Sequence, residues 1–311
     1  MARVNLSKIK TYSLKKRPSK VNKADFASVY KKRSTFKKLY QSLPHILAVA
    51  DLRKVVKAVA SAKKKGKPVI FMLGAHVIKC GLSPIIINLI KKQVIDAVAI
   101  NGAGMIHDFE IAYAGKTSED VDKAIQDGSF GMAEETAQFL NCAVAQGALR
   151  NAGIGEAVQK AVAGMKLPFK KLSIINATAD AGIPLTVHVA LGTDIIHQHP
   201  SCDGAALGKA GMKDFQIFIE QVSRIGNGGV VISFGSAVLL PEVFLKAVTV
   251  ARNLGFSVKN FTTAYFDMIR HYRPSQNIVR RPTIDSGKGY YIVGHHEIML
   301  PLLAAAIIEE L

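Results

Sequence analysis

The sequence predicts an α/β protein built on a Rossmann-like, mainly parallel sheet with helices on both faces. Two observations predict it. Short continuous apolar runs, as expected of strands buried on both faces, alternate with helix-period segments along most of the chain. Small-residue turns follow several of those runs, at the strand ends where open parallel sheets bind ligands. No repeat of fixed period and no long linker interrupts the pattern after residue 44, so one domain over 44–311 is expected, preceded by a basic arm over 1–43.

Residues 1–40 are polar and lysine-rich, with scattered Phe26, Tyr30, Phe36 and Tyr40, and read as an arm that is loosely structured or docked on a neighbour. Apolar residues then recur at helical spacing over 46–59, and that helix ends at Lys63-Lys64-Lys65-Gly66. The run 68–73 is the first strand. Ser83-Pro84 opens the next helix, with Ser83 as N-cap and Pro84 at the first helical position. A second strand covers 95–100. Ser118-Glu119-Asp120 opens a helix, and 132–149 forms a longer one. Strands follow at 183–191, 229–234 and 258–264, with helices at 213–225 and 242–254 between them. Residues 267–289 have no clear periodicity and read as a long functional or mobile loop. A short extended piece at 290–293 and a helix over 296–310 close the chain.

The formal net charge of +18 is uneven. Residues 1–70 hold 20 Lys and Arg against Asp25 and Asp51, whereas 71–311 balance 21 cations with 21 acids. A hydrophobic content of 49% excludes disorder as a general state. The longest apolar run is too short to span a bilayer, and no secretory signal pattern opens the chain. The excess of Lys over Arg argues against a transit peptide. Cys80, Cys142 and Cys202 are odd in number without CxxC spacing, which fits a reducing cytoplasm and no zinc ribbon.

Five loops carry candidate chemistry. Gly74 and Gly81 bracket the turn that feeds the helix at Ser83, where free N–H groups attract phosphate. Gly102-Ala103-Gly104 permits close backbone approach to a ligand and is followed by His107, Asp108 and Glu110; Asp108 as a helix cap is the structural alternative. After the third strand come Asp194, His197 and His199, with His188 on the strand itself. A metal pair is conceivable there, but proton transfer by His107, His188 or His197 fits better, and no metal is expected. Gly235-Ser236 follows the fourth strand. Arg270, Arg273, Arg280 and Arg281 suit a carboxylate or phosphate on the substrate. Together these turns describe a site for a nucleotide-type ligand.

The runs 74–84 and 101–108, Gly235 after GVVISF, Arg273-Pro274, and Pro301-Leu302-Leu303 in the last helix resemble deoxyhypusine synthase over roughly residues 45–311. The resemblance implies a Rossmann-like homotetramer with NAD at subunit interfaces. It also implies a reaction in which spermidine is dehydrogenated and its aminobutyl group passes, through an imine on an enzyme lysine, to a lysine of a translation factor. His76, Cys80-Gly81, Gly102, Ala103, Gly104, Asp194, Thr263 and Ala264 fall on cofactor positions; His107 replaces a glutamate there and His295 an aspartate. The spermidine side departs from the family. Pro282 stands at the imine-forming lysine, Arg280 at the pocket tryptophan, Gln276 at an acid and Pro241 at a histidine. Proline has no amine to form an imine. Lys288 is nearby but out of register, and is the remaining candidate nucleophile.

The resulting expectation is an NAD-dependent enzyme of this superfamily acting on a substrate other than spermidine, by hydride transfer at a C–N or C–O centre. Deoxyhypusine synthase proper is one alternative. Another is a non-enzymatic protein that binds RNA or another polyanion through residues 1–40, for which docking on a neighbouring subunit is the preferred explanation of the arm.

Overall fold

The computed structural model describes residues 4–311 and divides the chain into two compact units, Met1–Ala50 and Asp51–Leu311. The first unit holds three one-turn 3-10 elements, Leu6–Lys8, Leu14–Lys16 and Lys23–Asp25, and a short helix α1 (Phe36–Ser42) capped by Thr35. Helix α2 (Leu47–Lys64) runs on into the second unit.

The second unit is a six-stranded sheet: β1 (Val69–Leu73), β2 (Ala97–Asn101), β3 (Leu185–His188), β4 (Val230–Phe234), β5 (Thr262–Asp267) and β6 (Lys288–Val293). Their spatial order is β3-β2-β1-β4-β5-β6, and every pairing is parallel. This is the doubly wound order in which connections leave β1 towards one edge and β4 towards the other. All five residues of β1 and of β4 are buried, which explains their unbroken apolar sequence.

One face of the sheet packs on α10 (Gly204–Ser223) and α11 (Leu239–Asn253). Phe218, Val222, Leu240 and Phe244 meet Ile70, Met72, Ala99, Val231 and Tyr265 there. The other face carries α3 (His76–Lys79), α4 (Ser83–Lys91), α5 (Gly102–Ala114) and the closing helix α13 (His296–Glu310). Helices α6 (Val121–Asp127), α7 (Glu134–Leu149), α8 (Ile154–Gly164) and α9 (Ile174–Asp180) fill the long connection from β2 to β3.

Several local expectations are corrected. Ser83 is the first helical residue of α4 and not its cap, because the turn α3 delivers the chain through Leu82 in a near-helical conformation (φ −93°, ψ 0°). Asp108 lies inside α5, whose cap is Asn101. Strand β5 begins at Thr262 and runs through Asp267, later than its apolar content suggested. Residues 267–289 are not an irregular loop. After β5 the chain forms α12 (Tyr272–Pro274), a π-helical stretch Ser275–Arg280 and a 3-10 turn Arg281–Thr283. Three helix types of different pitch within twelve residues leave no single period to detect.

Two buried carboxylates hold the layers together. Asp108 accepts from Ser173 Oγ at 2.5 Å, Ile174 N at 2.7 Å and Ile175 N at 3.2 Å, and so caps α9 from a distance. Asp214 on α10 accepts from Gly155 N at 2.9 Å, in the first turn of α8, and from Val187 N at 2.7 Å, on the outer edge of β3. Burial pushes the Asp108 carboxyl up to about 6, against the hydrogen bonds that favour its charge.

Candidate functional site

The strand order reverses between β1 and β4, and a cleft of about 490 Å³ opens at their carboxyl ends. Its floor is backbone. Gly74 leaves β1 with its N–H donated to Phe234 O at 2.8 Å. A Cβ built on Gly74 would lie 2.6 Å from Ser236 N and 3.1 Å from the carbonyl carbon of Gly235, so only glycine lets the two strand exits close up. The first amide of the following turn to bond back is Val77 N, to Gly74 O at 3.1 Å. The N–H groups of Ala75 and His76 precede it and meet no backbone acceptor among the described residues.

The walls are His76, Asn101, Asp267, His295 and His296. Asp267 ends β5 and is 8% exposed. Its Oδ2 accepts from Tyr265 Oη at 2.8 Å and its Oδ1 from Met268 N at 2.8 Å. Burial, then the Asp267 charge, drives the Tyr265 hydroxyl far up, so it stays a donor. His296 begins α13, with its ring edge-on to Phe234 at 5.7 Å and Nε2 donating to Phe266 O at 3.3 Å. Burial lowers its pKa against the opposing pull of Asp267. His295 is exposed, 3.8 Å from Glu297. Burial, then Glu297, pushes the Cys80 thiol up, which favours the neutral form. Among the described residues no Lys or Arg lines this cleft.

A larger hollow, about 700 Å³, lies by Lys63, Asp96 and Asn176, where the chain enters the strands. Size alone does not make it the site. In this fold the strand carboxyl ends and the turns that follow them aim at the opposite end of the sheet.

Asn101 joins the cleft to a second group of residues. Its Oδ1 accepts from Gly104 N at 3.0 Å, capping α5. Asp194 sits against that same helix start, and a Cβ on Gly102 would collide with its carboxylate. The negative charge at a helix N-terminus is favourable, yet Asp194 Oδ2 is buried and unpartnered among the described residues. Burial raises its pKa to about 6, while His107 pulls it back. His107 is itself anchored. Its Nδ1 meets Thr117 Oγ1 at 2.6 Å, and Thr117 donates to Glu110 Oε2, which lies 3.7 Å from the same nitrogen. Thr136 donates to Glu110 Oε1 at 3.3 Å. Burial alone would raise the Glu110 pKa, but the bonds from His107, Thr117 and Thr136 together hold it below the ordinary value.

A depressed carboxylate stabilises the fold above its unfolded pKa and loses that contribution as the pH falls through the folded value. Thr117→Val is therefore expected to raise the Glu110 pKa and shift acid unfolding to higher pH. Titration of the Glu110 carboxyl carbon by NMR measures the first effect.

The sequence-predicted residues thus separate into groups. Gly74, His76, Gly235 and His295 meet in the cleft. Gly102, Ala103, Gly104, His107 and Asp194 gather at the start of α5. Gly81 ends the α3 turn with no atom within 4 Å of a built Cβ. Thr263 and Ala264 are buried inside β5, where Thr263 Oγ1 donates to Ile278 O at 2.8 Å. His188 ends β3 facing Phe218, and burial holds it down to about 4. His197 Nδ1 accepts from Gly192 N and Asp194 N, closing its own turn. Lys288 is exposed at the first residue of β6, the end of that strand away from the cleft.

The arginines lie on the helical crossover after β5. Arg273 pairs with Glu242 at 3.4 Å, Arg281 donates to Asn277 Oδ1 at 2.8 Å, and Arg280 is exposed. Asn101, Asp267 and His296 are wall residues absent from the candidates drawn from the sequence. Extending β5 by three residues would have placed Asp267 at a strand carboxyl end.

Among the described residues no group of three His, Cys, Asp or Glu side chains is placed to hold a metal, and no helix is long and apolar enough to cross a membrane.

No family model matches the sequence, and no curated protein is significantly similar to it. Solved structures are similar in fold. AgrE in ternary complex with ornithine and NAD+ aligns at a TM-score of 0.53 and 13% identity, over 84% of this chain and 33% of AgrE. A putative deoxyhypusine synthase from Entamoeba histolytica aligns at 0.53 and 11% identity, over 90% of this chain and 95% of that one. ArgZ, an arginine dihydrolase from the ornithine–ammonia cycle in cyanobacteria, aligns at 0.49 and 14% identity, over 84% of this chain and 31% of its own. The chain spans about a third of the length of AgrE and of ArgZ. The fold is deoxyhypusine synthase-like, an α/β Rossmann-like sheet flanked by helices.

Proposed function

We propose that the chain is an NAD-dependent enzyme of the deoxyhypusine synthase-like superfamily that acts on a substrate other than spermidine, by hydride transfer at a C–N or C–O centre. The observation that carries this reading is the cleft at the strand-order reversal, over a floor where Gly74 lets the exits of β1 and β4 close up.

The residues present fit a dinucleotide. Gly74 lets the exits of β1 and β4 close up into a backbone floor, and the Ala75 and His76 N–H groups at its edge are donors for a phosphate. Asn101 and Asp267 offer oxygen acceptors for ribose hydroxyls. NAD would supply the hydride acceptor. The chain would supply proton handling at His107 Nε2, with Nδ1 tied to Thr117 and Asp194 close enough to feel its charge. AgrE, the fold neighbour in complex with NAD+ and ornithine, supports both the cofactor and a small-molecule substrate. The arginines of the crossover are engaged with Glu242 and Asn277 or exposed, so the cleft itself offers an anionic substrate no cationic anchor.

Thermal unfolding with NAD and with NADP tests the reading. A ligand at a hundred times its Kd adds about 2.7 kcal/mol. That corresponds to a rise of roughly 5–10 °C for a domain of this size. No shift with either dinucleotide at millimolar concentration would sink the proposal. Incubation with spermidine, NAD and borohydride is expected to trap no adduct. Pro282 is buried, and its carbonyl accepts from Arg252 at 2.7 Å, so it offers no amine. A trapped lysine adduct would restore deoxyhypusine synthesis as the activity.

A further inference from the structure

We infer that the N-terminal unit is a binding surface for single-stranded nucleic acid, independent of the cleft chemistry. Residues 1–50 hold 13 Lys and Arg against one acid, Asp25. That acid is engaged locally, since its Oδ2 accepts from Asn22 N at 2.8 Å. Among the described residues of this unit no Lys or Arg forms an ion pair, so the cations are uncompensated.

The backbone spreads these charges along a line. The 3-10 turns are capped by Asn5, Ser13 and Asn22, eight and nine residues apart, and extended chain separates them. Each turn carries one or more lysines, and Lys31-Lys32-Arg33 follows the last. A chain punctuated in this way can track a phosphate backbone, and that contact needs no fixed side-chain geometry.

Aromatic rings stand beside the cations. Tyr12, Phe26 and Tyr30 are 74%, 65% and 54% exposed, which leaves a ring face open to a base. Stacking on such rings tolerates any base sequence. The densest point is a hollow of about 540 Å³ lined by Tyr30, Lys31, Lys32, Arg33 and Lys38. Arg33 adopts a left-handed backbone (φ 66°), unusual outside glycine, and Ser34 N closes the turn onto Lys31 O at 3.0 Å. One ring and four cations around one hollow match a nucleotide unit, a base beside its phosphate.

Other partners fit less well. A second copy of the chain is positive in both units, since residues 51–311 hold 28 Lys and Arg against 22 acids. It offers the arm no complementary charge. An anionic membrane surface is usually gripped by an amphipathic helix. Residues 4–46 contain only three-residue turns and the seven-residue α1.

The test uses the full chain and a fluorescein-labelled oligouridylate of about 20 nucleotides, read by anisotropy across a salt series. Binding is expected to weaken steeply with salt, log K falling by about 0.7 per phosphate contact for each tenfold rise in salt. Lys31→Gln/Lys32→Gln/Arg33→Gln should lower that slope by about 2 and weaken binding about a hundredfold at roughly 0.1 M salt. Tyr30→Ala should weaken binding between about fivefold and a hundredfold with the salt slope unchanged. Unaltered melting temperatures of the variants confirm that the body is intact. Absence of binding, binding insensitive to salt, or binding undiminished in both variants overturns the inference. So does tighter binding to phosphatidylserine vesicles than to the oligonucleotide, which would assign the arm to a membrane. Dinucleotide-induced stabilisation is read separately, so neither result decides the other.

Discussion

Replacing Asp214 by Ala is expected to destabilise the protein by about 4 kcal/mol, from ~1–3 kcal/mol for each buried donor left without a partner. The carboxylate satisfies Gly155 N at the start of α8 and Val187 N on the outer side of the edge strand β3. It is fully buried, so water cannot replace it at either amide. A loss of that size is a large part of the ~5–15 kcal/mol that keeps a domain folded. Denaturant unfolding measures it; a loss below about 1 kcal/mol would show that the edge is closed some other way.

Asp214→Asn separates hydrogen bonding from charge. Burial pushes the Asp214 carboxyl up to about 7 against its backbone bonds. Because the folded pKa exceeds the unfolded one, the folded state holds the extra proton between about pH 4 and 7. Stability from this group is complete below the unfolded pKa and drains away as the pH rises through 7. The amide side chain keeps an acceptor without that dependence. The variant is therefore expected to gain on the parent as the pH rises from 5 to 8, and an unchanged difference across that range would refute the titration.

The second large effect is at the cleft floor. Gly74→Val forces side-chain atoms into Ser236 N and Gly235, both backbone, so the exits of β1 and β4 must part. Overpacking of this kind costs about 1–3 kcal/mol. The hydrogen bond from Gly74 N to Phe234 O weakens with it. Loss of the dinucleotide-induced rise in melting temperature is expected, with at least a tenfold loss of affinity by calorimetry. Gly182→Ala is the control. It meets no neighbouring atom, so strain at its left-handed backbone (φ 63°) should lower stability by about 1 kcal/mol while binding persists. Equal affinity in Gly74→Val and the parent would remove the cleft as the cofactor site.

How much of this was legible in the sequence depended on period and on packing partners. The buried strands declared themselves because PVIFML and GVVISF are apolar on both faces, and from them followed the turns at Gly74 and Gly235. The first half of α10 did not: the sequence predicts that helix over 213–225, whereas Asp203 starts it at Gly204 by accepting from Ala205 N and Ala206 N. The triplet His107, Asp108, Glu110 looked like one polar cluster. Helical geometry splits it, since positions three apart share a face and the one between does not. His107 and Glu110 meet through Thr117, whereas Asp108 turns inward to cap α9. For Arg273 the sequence shows the charge and hides the acid that meets it, Glu242, on another helix.

The strand order also sets a timetable. On the ribosome β1 finds β2 within about thirty residues, but its other neighbour, β4, is not synthesised until roughly 160 residues later. At ~5–20 residues per second the nascent chain waits about 8–30 s with one side of its central strand unpaired. The cleft is built from both strands, so it does not exist during that interval. The half-made sheet exposes Phe71 and its neighbours to any apolar surface, and a chaperone that covers apolar strands should bind nascent chains that end before residue 230 and release those that extend past β5.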